Sequence, residues 1–206
     1  PHPLWSRGLG DVYKRQDWSY VIGPYKDPVA SVKSGEIFKI ETLDAFGNKV
    51  DSSTSDITKL IQMPFVNPLT GPIYVEGAQK GDALAVTIIS VETTRDYGVS
   101  AIIPEFGGLC ATPLTRTLNT PLPPRVMIYP IEDNSVIFSR DLNIAPIPYE
   151  PFYGTIGTAP EIEAISSLSP GSHGGNMDAA DVCPGNMILL PVNVDCGFLY
   201  LSLINI

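Results

Sequence analysis

The chain has 206 residues, 44% hydrophobic and 17% charged, a composition typical of a globular protein rather than a disordered one. Its net charge of −9 offers no basic surface for phosphates, so we expect no nucleic-acid partner. No apolar run approaches the roughly 20 residues of a transmembrane helix or forms a signal-peptide core, so we predict no membrane partner and a cytoplasmic location.

The two ends of the chain carry related hexapeptides. Residues 11–16, Asp-Val-Tyr-Lys-Arg-Gln, can be encoded by DNA whose reverse complement reads Leu-Ser-Leu-Ile-His-Ile, and residues 201–206 read Leu-Ser-Leu-Ile-Asn-Ile. This inverted repeat resembles a transposon-derived library adapter. We therefore predict that residues 1–16 and 201–206 are adapter-derived tails and that residues 17–200 form an incomplete domain.

Short strands dominate the predicted structure, because 20 prolines and 18 glycines interrupt the chain every few residues. In chain order, we predict strands at 37–43, 73–75, 83–91, 126–131, 135–138 and 187–194. A weak helix is predicted at 53–62, a helical turn at 177–182, and a long proline-rich loop at 112–124. This pattern favours a mainly β fold with sandwich-like or barrel-like architecture and little helix.

The strongest local signal for chemistry lies in residues 170–178, Pro-Gly-Ser-His-Gly-Gly-Asn-Met-Asp. His173, Asn176 and Asp178 place an imidazole, a carboxamide and a carboxylate on one glycine-rich turn. Gly174 and Gly175 allow the backbone to approach a ligand closely. The imidazole and the carboxylate suit a divalent metal such as zinc, or a general base with its orienting partner. The structural alternative is a tight loop with a capping Asp and a surface His.

Other segments give weaker signals. Asn67 and Glu76 flank turns at Asn-Pro and Gly-Pro, and Asp44 ends a predicted strand; from the residues alone, structural roles are favoured for all three. The glycines of 151–160 do not have the spacing of a phosphate loop, so we reject a nucleotide site. No Gly-x-Ser-x-Gly motif is present, and a Cys110–His173 pair stays open although an inert cysteine is favoured.

Four segments in order resemble the acetamidase/formamidase family across residues 25–198. They read Glu-Thr-Leu-Asp-Ala-Phe, Asn-Pro-Leu-Thr-Gly-Pro-Ile-Tyr-Val-Glu-Gly-Ala, Pro-Phe-Tyr-Gly-Thr-Ile-Gly-Thr-Ala-Pro and His-Gly-Gly-Asn-Met-Asp. The resemblance implies a mainly β fold and the metal-dependent hydrolysis of small linear amides such as formamide and acetamide. It also implies a divalent metal, zinc being the expected ion, and allows a homo-oligomer.

The resemblance further implies roles for individual residues. His173 and Asp178 fall on the family's His-Gly-Gly-Asn-x-Asp motif and are predicted as catalytic residues and metal ligands, or as their immediate support. Asn176 is predicted to orient the substrate carbonyl or the attacking water. The predicted substrate-binding residues are Gly174, Gly175, Asp44, Asn67 and Glu76.

The sequence departs from the family after residue 194. The family continues into Gly-Asp-x-His and Gly-Asp-Gly-Glu stretches, whereas this chain reads Val-Asp-Cys-Gly-Phe-Leu-Tyr and then its last hexapeptide. A catalytic zinc takes three protein ligands and an open position. We therefore expect a truncated and inactive fragment of an amidase. The alternative is a non-catalytic β-sandwich module that binds a small polar ligand.

Overall fold

The structure is a computed structural model that describes residues 18–107 and 122–206. The chain divides into two compact units. The first comprises the described residues of Pro1–Gly47, Pro64–Val91 and Pro151–Asn205, and the second those of Asn48–Met63 and Glu92–Glu150, together with Ile206. The predicted tail 1–16, Cys110 and residues 112–121 of the predicted loop lie outside the described residues. In the part of the chain that is described, no helix is long and apolar enough to cross a membrane.

Strands make up nearly all of the regular structure. In chain order, the elements are β1 (Val21–Ile22), β2 (Ala30–Lys33), α1 (Ile57–Leu60), β3 (Thr70–Glu76), β4 (Ala83–Thr87), β5 (Tyr97–Ile102), β6 (Arg125–Glu132), β7 (Ser135–Val136), β8 (Ile147–Pro148), β9 (Phe152–Thr158), β10 (Ile165–Ser166), β11 (Pro170–Gly171), β12 (Gly174–Asn176), β13 (Met187–Pro191) and β14 (Leu199–Asn205). The predicted mainly β fold is confirmed.

A six-stranded sheet forms the centre of the first unit, with the strand order β11-β12-β9-β14-β3-β2. Neighbouring strands are antiparallel except β2 and β3, which are parallel. β14 lies between β9 and β3, so the strand formed last along the chain joins the two halves of this sheet. Residues 201–205 of the predicted tail are part of this strand, and their adapter origin stays a prediction.

The core of the first unit lies on both faces of this sheet, because successive side chains of a strand point to opposite faces. Leu199 and Leu201 belong to a cluster with Ile73 and Ile156, whereas Tyr200 between them belongs to a different cluster. The Tyr200 cluster contains Ile22, Leu69, Ala159 and Tyr200. Alternation along β14 therefore fixes which residues pack on each face.

Two smaller two-stranded sheets complete the first unit. β1 pairs antiparallel with β10, and β4 pairs antiparallel with β13. In the second pair, Leu84 lies opposite Leu190, and both are at least partly buried. Ile89, Met187 and Leu189 remain exposed.

The second unit contains the sheet β5-β6-β7-β8 and helix α1. The Asp56 side chain caps this four-residue helix by accepting a hydrogen bond from the Thr58 amide. The guanidinium of Arg95 donates to the carbonyl oxygens of Asn48 at 2.6 Å and Val50 at 3.0 Å. These bonds tie the connecting segment to the start of the β5 region.

Several predicted elements are observed with shorter bounds. β6 contains the predicted strand 126–131, while β4 and β13 end at Thr87 and Pro191, and the predicted helix 53–62 is reduced to Ile57–Leu60. The predicted strand 37–43 is wrong, because these residues pair with no neighbouring strand. The predicted helical turn at 177–182 is also wrong, because that segment consists of irregular backbone and turns.

Candidate active site

A tight hairpin carries the histidine of the predicted motif. Gly171 of β11 lies opposite Gly174 of β12, so Ser172 and His173 form the turn. The imidazole occupies the space above two glycines: a Cβ added to Gly171 would lie 2.9 Å from Nδ1, and one added to Gly175 would lie 2.8 Å from Nε2. Glycine is therefore required at both positions for the ring to pack against the hairpin.

The imidazole of His173 is buried and chemically unoccupied. The residue is 1% exposed, and its Nε2 atom is the one buried side-chain nitrogen or oxygen that has no hydrogen-bond partner among the described residues. Burial lowers the pKa of His173, which favours the neutral ring at neutral pH. A neutral imidazole is the form that binds a metal or accepts a proton.

Asn176 lies on the same hairpin and is held by two other segments. Its Oδ1 atom accepts a hydrogen bond from Thr155 Oγ1 at 2.7 Å and another from Asn67 Nδ2 at 3.3 Å. Thr155 is the direct β9 partner of Asn176 in β12, which explains the short contact. The site is thus built from three segments that are distant in sequence.

Asn67 is the residue that the long-range contact brings to the hairpin. It is 5% exposed and has a φ of 55°, a left-handed conformation that asparagine tolerates better than most residues. Its amide donates to the carbonyl oxygen of Ala45 at 2.9 Å. Asp44 precedes Ala45 and caps this turn by accepting a hydrogen bond from the Phe46 amide at 2.9 Å.

Asp178 is placed differently from His173. It is exposed, its amide donates to the Gly154 carbonyl at 3.0 Å, and its Oδ1 atom accepts a hydrogen bond from Asn205 Nδ2 at 2.8 Å. A Cβ added to Gly154 would lie 2.6 Å from Oδ1 of Asp178. This carboxylate therefore lies over β9 close to the end of β14.

The remaining predicted residues have structural contacts. Gly174 is buried with a φ of 91°, and a Cβ added there would lie 2.4 Å from the Ile156 carbonyl oxygen, so it allows β12 to approach β9. Glu76 is exposed at the end of β3 and accepts a hydrogen bond from Ser31 at 3.0 Å. The described contacts of Glu76 thus lie with β2 rather than with the hairpin.

Sequence reasoning missed Thr155. The glycine-rich segment 151–160 was considered only as a phosphate loop, but it forms β9, and Thr155 is completely buried there. Ser202 in β14 is also completely buried, and its hydroxyl donates to the Pro68 carbonyl oxygen at 2.7 Å. The register that pairs Thr155 with Asn176 is a long-range property, and no local pattern in the sequence indicates it.

A metal was tested against the side chains of the site. The buried, unpartnered Nε2 atom of His173 is a suitable donor for zinc. However, across residues 18–107 and 122–206, no group of three or more His, Cys, Asp or Glu side chains is arranged to hold a metal ion. The described residues therefore supply one suitable imidazole, and a complete ligand set is not among them.

Comparison with known proteins identifies the family. The model of the acetamidase/formamidase family matches residues 22–169. A formamidase of Methylophilus methylotrophus is 24% identical over 215 residues, which cover 82% of this chain and 53% of the relative. The solved acetamidase of Yersinia enterocolitica has a TM-score of 0.83 and 40% identity, covering 91% of this chain and 57% of that one. The acetamidase of Bacillus halodurans has a TM-score of 0.80 and 35% identity, covering 92% and 60%.

The fold and the hairpin site are those of an amidase-like β protein, and the chain belongs to the acetamidase/formamidase family. The predicted resemblance is therefore confirmed. The chain spans about half the length of the formamidase from Methylophilus methylotrophus.

Proposed function

We propose that the protein represented by this chain hydrolyses small linear amides, such as formamide and acetamide, to a carboxylate and ammonia. The observation that carries the proposal is the family match over residues 22–169, supported by similarity to a formamidase and to solved acetamidases. The hairpin adds the type of site such a reaction needs, because a neutral imidazole and an oriented carboxamide lie within three residues of one another.

The proposed roles follow from where the side chains lie. His173 is neutral and buried, with a ring nitrogen available to bind an ion or a proton. Asn176 orients either the amide substrate or the attacking water, and Asn67 supports it from the opposite segment. Gly174 and Gly175 keep the hairpin free of side chains at the substrate position. Substrate contacts by Asp44 and Glu76 stay predictions.

We also propose a divalent metal, with zinc as the expected ion. His173 would hold it through Nε2, with Asp178 as a second ligand or as support, and the remaining ligands would come from outside the described residues. A bound zinc ion lowers the pKa of a water molecule and polarises a carbonyl group. The cytoplasmic location, the homo-oligomer and the truncated, inactive state of this chain stay predictions.

Ammonia release tests the proposed reaction. The chain is incubated with formamide or acetamide with and without zinc, and ammonia is measured for the unchanged chain, His173→Ala and His2→Ala. His2 is the other histidine of the sequence, so its variant is the matched control. Zinc-dependent ammonia release that is lost in His173→Ala and kept in His2→Ala supports the proposal.

The alternative function is a module that binds a small polar ligand without catalysis. It is favoured by the incomplete set of metal ligands among the described residues. Saturable acetamide binding, with no ammonia from any short amide and no zinc uptake, would support the module and contradict hydrolysis by this chain.

A further inference from the structure

The orientation of the Asn176 carboxamide is set by the groups around it. Thr155 is completely buried, and its hydroxyl group lies 2.7 Å from Oδ1 of Asn176. Asn67 donates to the same oxygen from Nδ2 at 3.3 Å. Two donors converge on the oxygen side of the carboxamide, which leaves its nitrogen side directed elsewhere.

The reversed orientation of Asn176 is chemically unfavourable. If Nδ2 faced Thr155, the threonine oxygen would accept a hydrogen bond and its own hydrogen would need another acceptor. No second partner of the Thr155 hydroxyl is present among the described residues. A buried hydroxyl without an acceptor costs about 1–3 kcal/mol, so the observed orientation is the stable one.

The nitrogen side of Asn176 remains available for a ligand. No described residue accepts a hydrogen bond from Nδ2. This atom is also not among the buried atoms without partners, of which Nε2 of His173 is the one example in the described part. Because Asn176 is only partly buried, its two N–H groups can reach a bound molecule.

We propose that Thr155 and Asn67 are positioning residues that lock the Asn176 carboxamide with its N–H groups towards the ligand. The site then selects a hydrogen-bond acceptor, the carbonyl oxygen of a small amide, and disfavours a ligand that offers only donors. This inference rests on the proposed amide hydrolysis, in which the carbonyl oxygen gains negative charge and an N–H donor stabilises it.

The test measures acetamide binding by nuclear magnetic resonance, since binding requires no turnover. The side-chain amide signals of Asn176, assigned with Asn176→Asp, are followed during titration with acetamide. We expect saturable shifts of these signals in the unchanged chain. Methylammonium, a donor-only probe of similar size, is expected to give no saturable shift and no competition.

Thr155 variants separate the hydroxyl group from the shape of the side chain. Thr155→Val removes the hydroxyl and is expected to weaken acetamide binding about tenfold, whereas Thr155→Ser keeps the donor and restores affinity to within about threefold. Thr158→Val is the matched control: Thr158 lies on the same strand, is completely buried, and donates instead to the Pro191 carbonyl oxygen at 2.6 Å. Its binding should be unchanged.

Asn67→Asp provides a second test that does not depend on the folding of Thr155→Val. It replaces the donor with a carboxylate, which attracts the Asn176 nitrogen and reverses the carboxamide. Aspartate also tolerates the left-handed backbone of position 67. Acetamide affinity should fall about tenfold in this variant as well.

The outcomes separate the lock from the reaction. Unchanged acetamide affinity in Thr155→Val and Asn67→Asp, competition by methylammonium, or no response of the Asn176 signals in the unchanged chain would overturn the lock. Binding that follows the expected order without any ammonia release would support the lock and contradict hydrolysis. Ammonia release with acetamide affinity insensitive to both variants would support hydrolysis and contradict the lock.

Discussion

The hydroxyl of Tyr200 donates a hydrogen bond to the carbonyl oxygen of Gly23 at 2.8 Å, across 177 positions of the sequence. Tyr200 is 1% exposed and packs with Ile22 and Leu69. One phenol group thus ties the centre of the main sheet to the segment that follows β1.

Replacing Tyr200 with phenylalanine should lower the free energy of unfolding by about 1 kcal/mol at neutral pH, because the buried Gly23 carbonyl loses its donor. Urea denaturation measures this change. Tyr25→Phe is the matched exposed control, since Tyr25 is 71% exposed. A Tyr200→Phe chain as stable as the unchanged one would show that the bond contributes nothing net.

Tyr200 should also give the fold a dependence on alkaline pH. Burial raises the pKa of Tyr200 from 10.0 to about 12. Between these values the folded chain binds more protons than the unfolded chain, so stability present below pH 10 is lost as the pH rises towards 12. The full difference amounts to about 2–3 kcal/mol. Stability curves of the unchanged chain should therefore fall more steeply there than those of Tyr200→Phe; parallel curves would contradict the shift.

Gly157 should be intolerant of a side chain. A Cβ at this β9 position would lie 2.7 Å from the Gly175 amide nitrogen and 2.8 Å from the His173 carbonyl oxygen, both backbone atoms that cannot rotate away. We expect Gly157→Ala to cost about 2–4 kcal/mol and to displace β12. Gly98→Ala, another strand position, meets only the tip of Ile206 at 3.4 Å and serves as the control.

The comparison of the two glycine variants uses thermal unfolding and the amide signals of Asn176. Gly157→Ala should lower the melting temperature and shift those signals, while Gly98→Ala should do neither. If both variants unfold at the temperature of the unchanged chain, the close approach of β12 to β9 is not required for stability.

Leu201 should contribute strongly to stability through burial. It is 3% exposed in β14 and packs in the cluster that contains Ile156. Leu201→Ala is expected to lower the free energy of unfolding by about 2–5 kcal/mol, through lost burial and the cavity that remains. Leu189→Ala, at a strand position 66% exposed, should change it by less than about 0.5 kcal/mol. Similar losses in both variants would contradict the observed packing of β14.

The ion pair between Lys80 and Glu161 should contribute little. Both side chains are more than half exposed, 56% and 57%, so water and salt screen their attraction. Lys80→Met should reduce the free energy of unfolding by less than about 1 kcal/mol, and by less still at high salt. A loss that is larger and independent of salt, measured by urea denaturation, would show that the lysine acts through packing instead.

Local patterns predicted the strands that pair with near neighbours. β6 and β7 flank a hairpin turn, and β4 and β13 are β-rich runs bounded by turn residues, so sequence alone located all four. The predicted strand 37–43 failed for a physical reason: Phe38 and Ile40 do pack against the core, but no neighbouring strand pairs with their backbone. Alternation reports which face is buried and does not report pairing.

The site was predictable in its residue types and not in its geometry. The motif at 173–178 gave the imidazole, the carboxamide and the carboxylate, and the resemblance to the family placed Asn67 with them. The contact between Asn67 and Asn176 spans 109 positions, and that between Thr155 and Asn176 depends on strand register. Such contacts follow from tertiary structure, which short-range spacing does not encode.

The place of β14 between β9 and β3 makes this sheet divisible into two parts. A chain that stops at residue 198 would present two strand edges facing a slot that matches Leu199–Asn205. A synthetic peptide with that sequence would fill the slot by strand addition, and its side chains would insert alternately into the two core clusters. The sheet is therefore a natural split point: two separately supplied pieces would reassemble it, and a label on the peptide would report when the hairpin of His173 regains its neighbours.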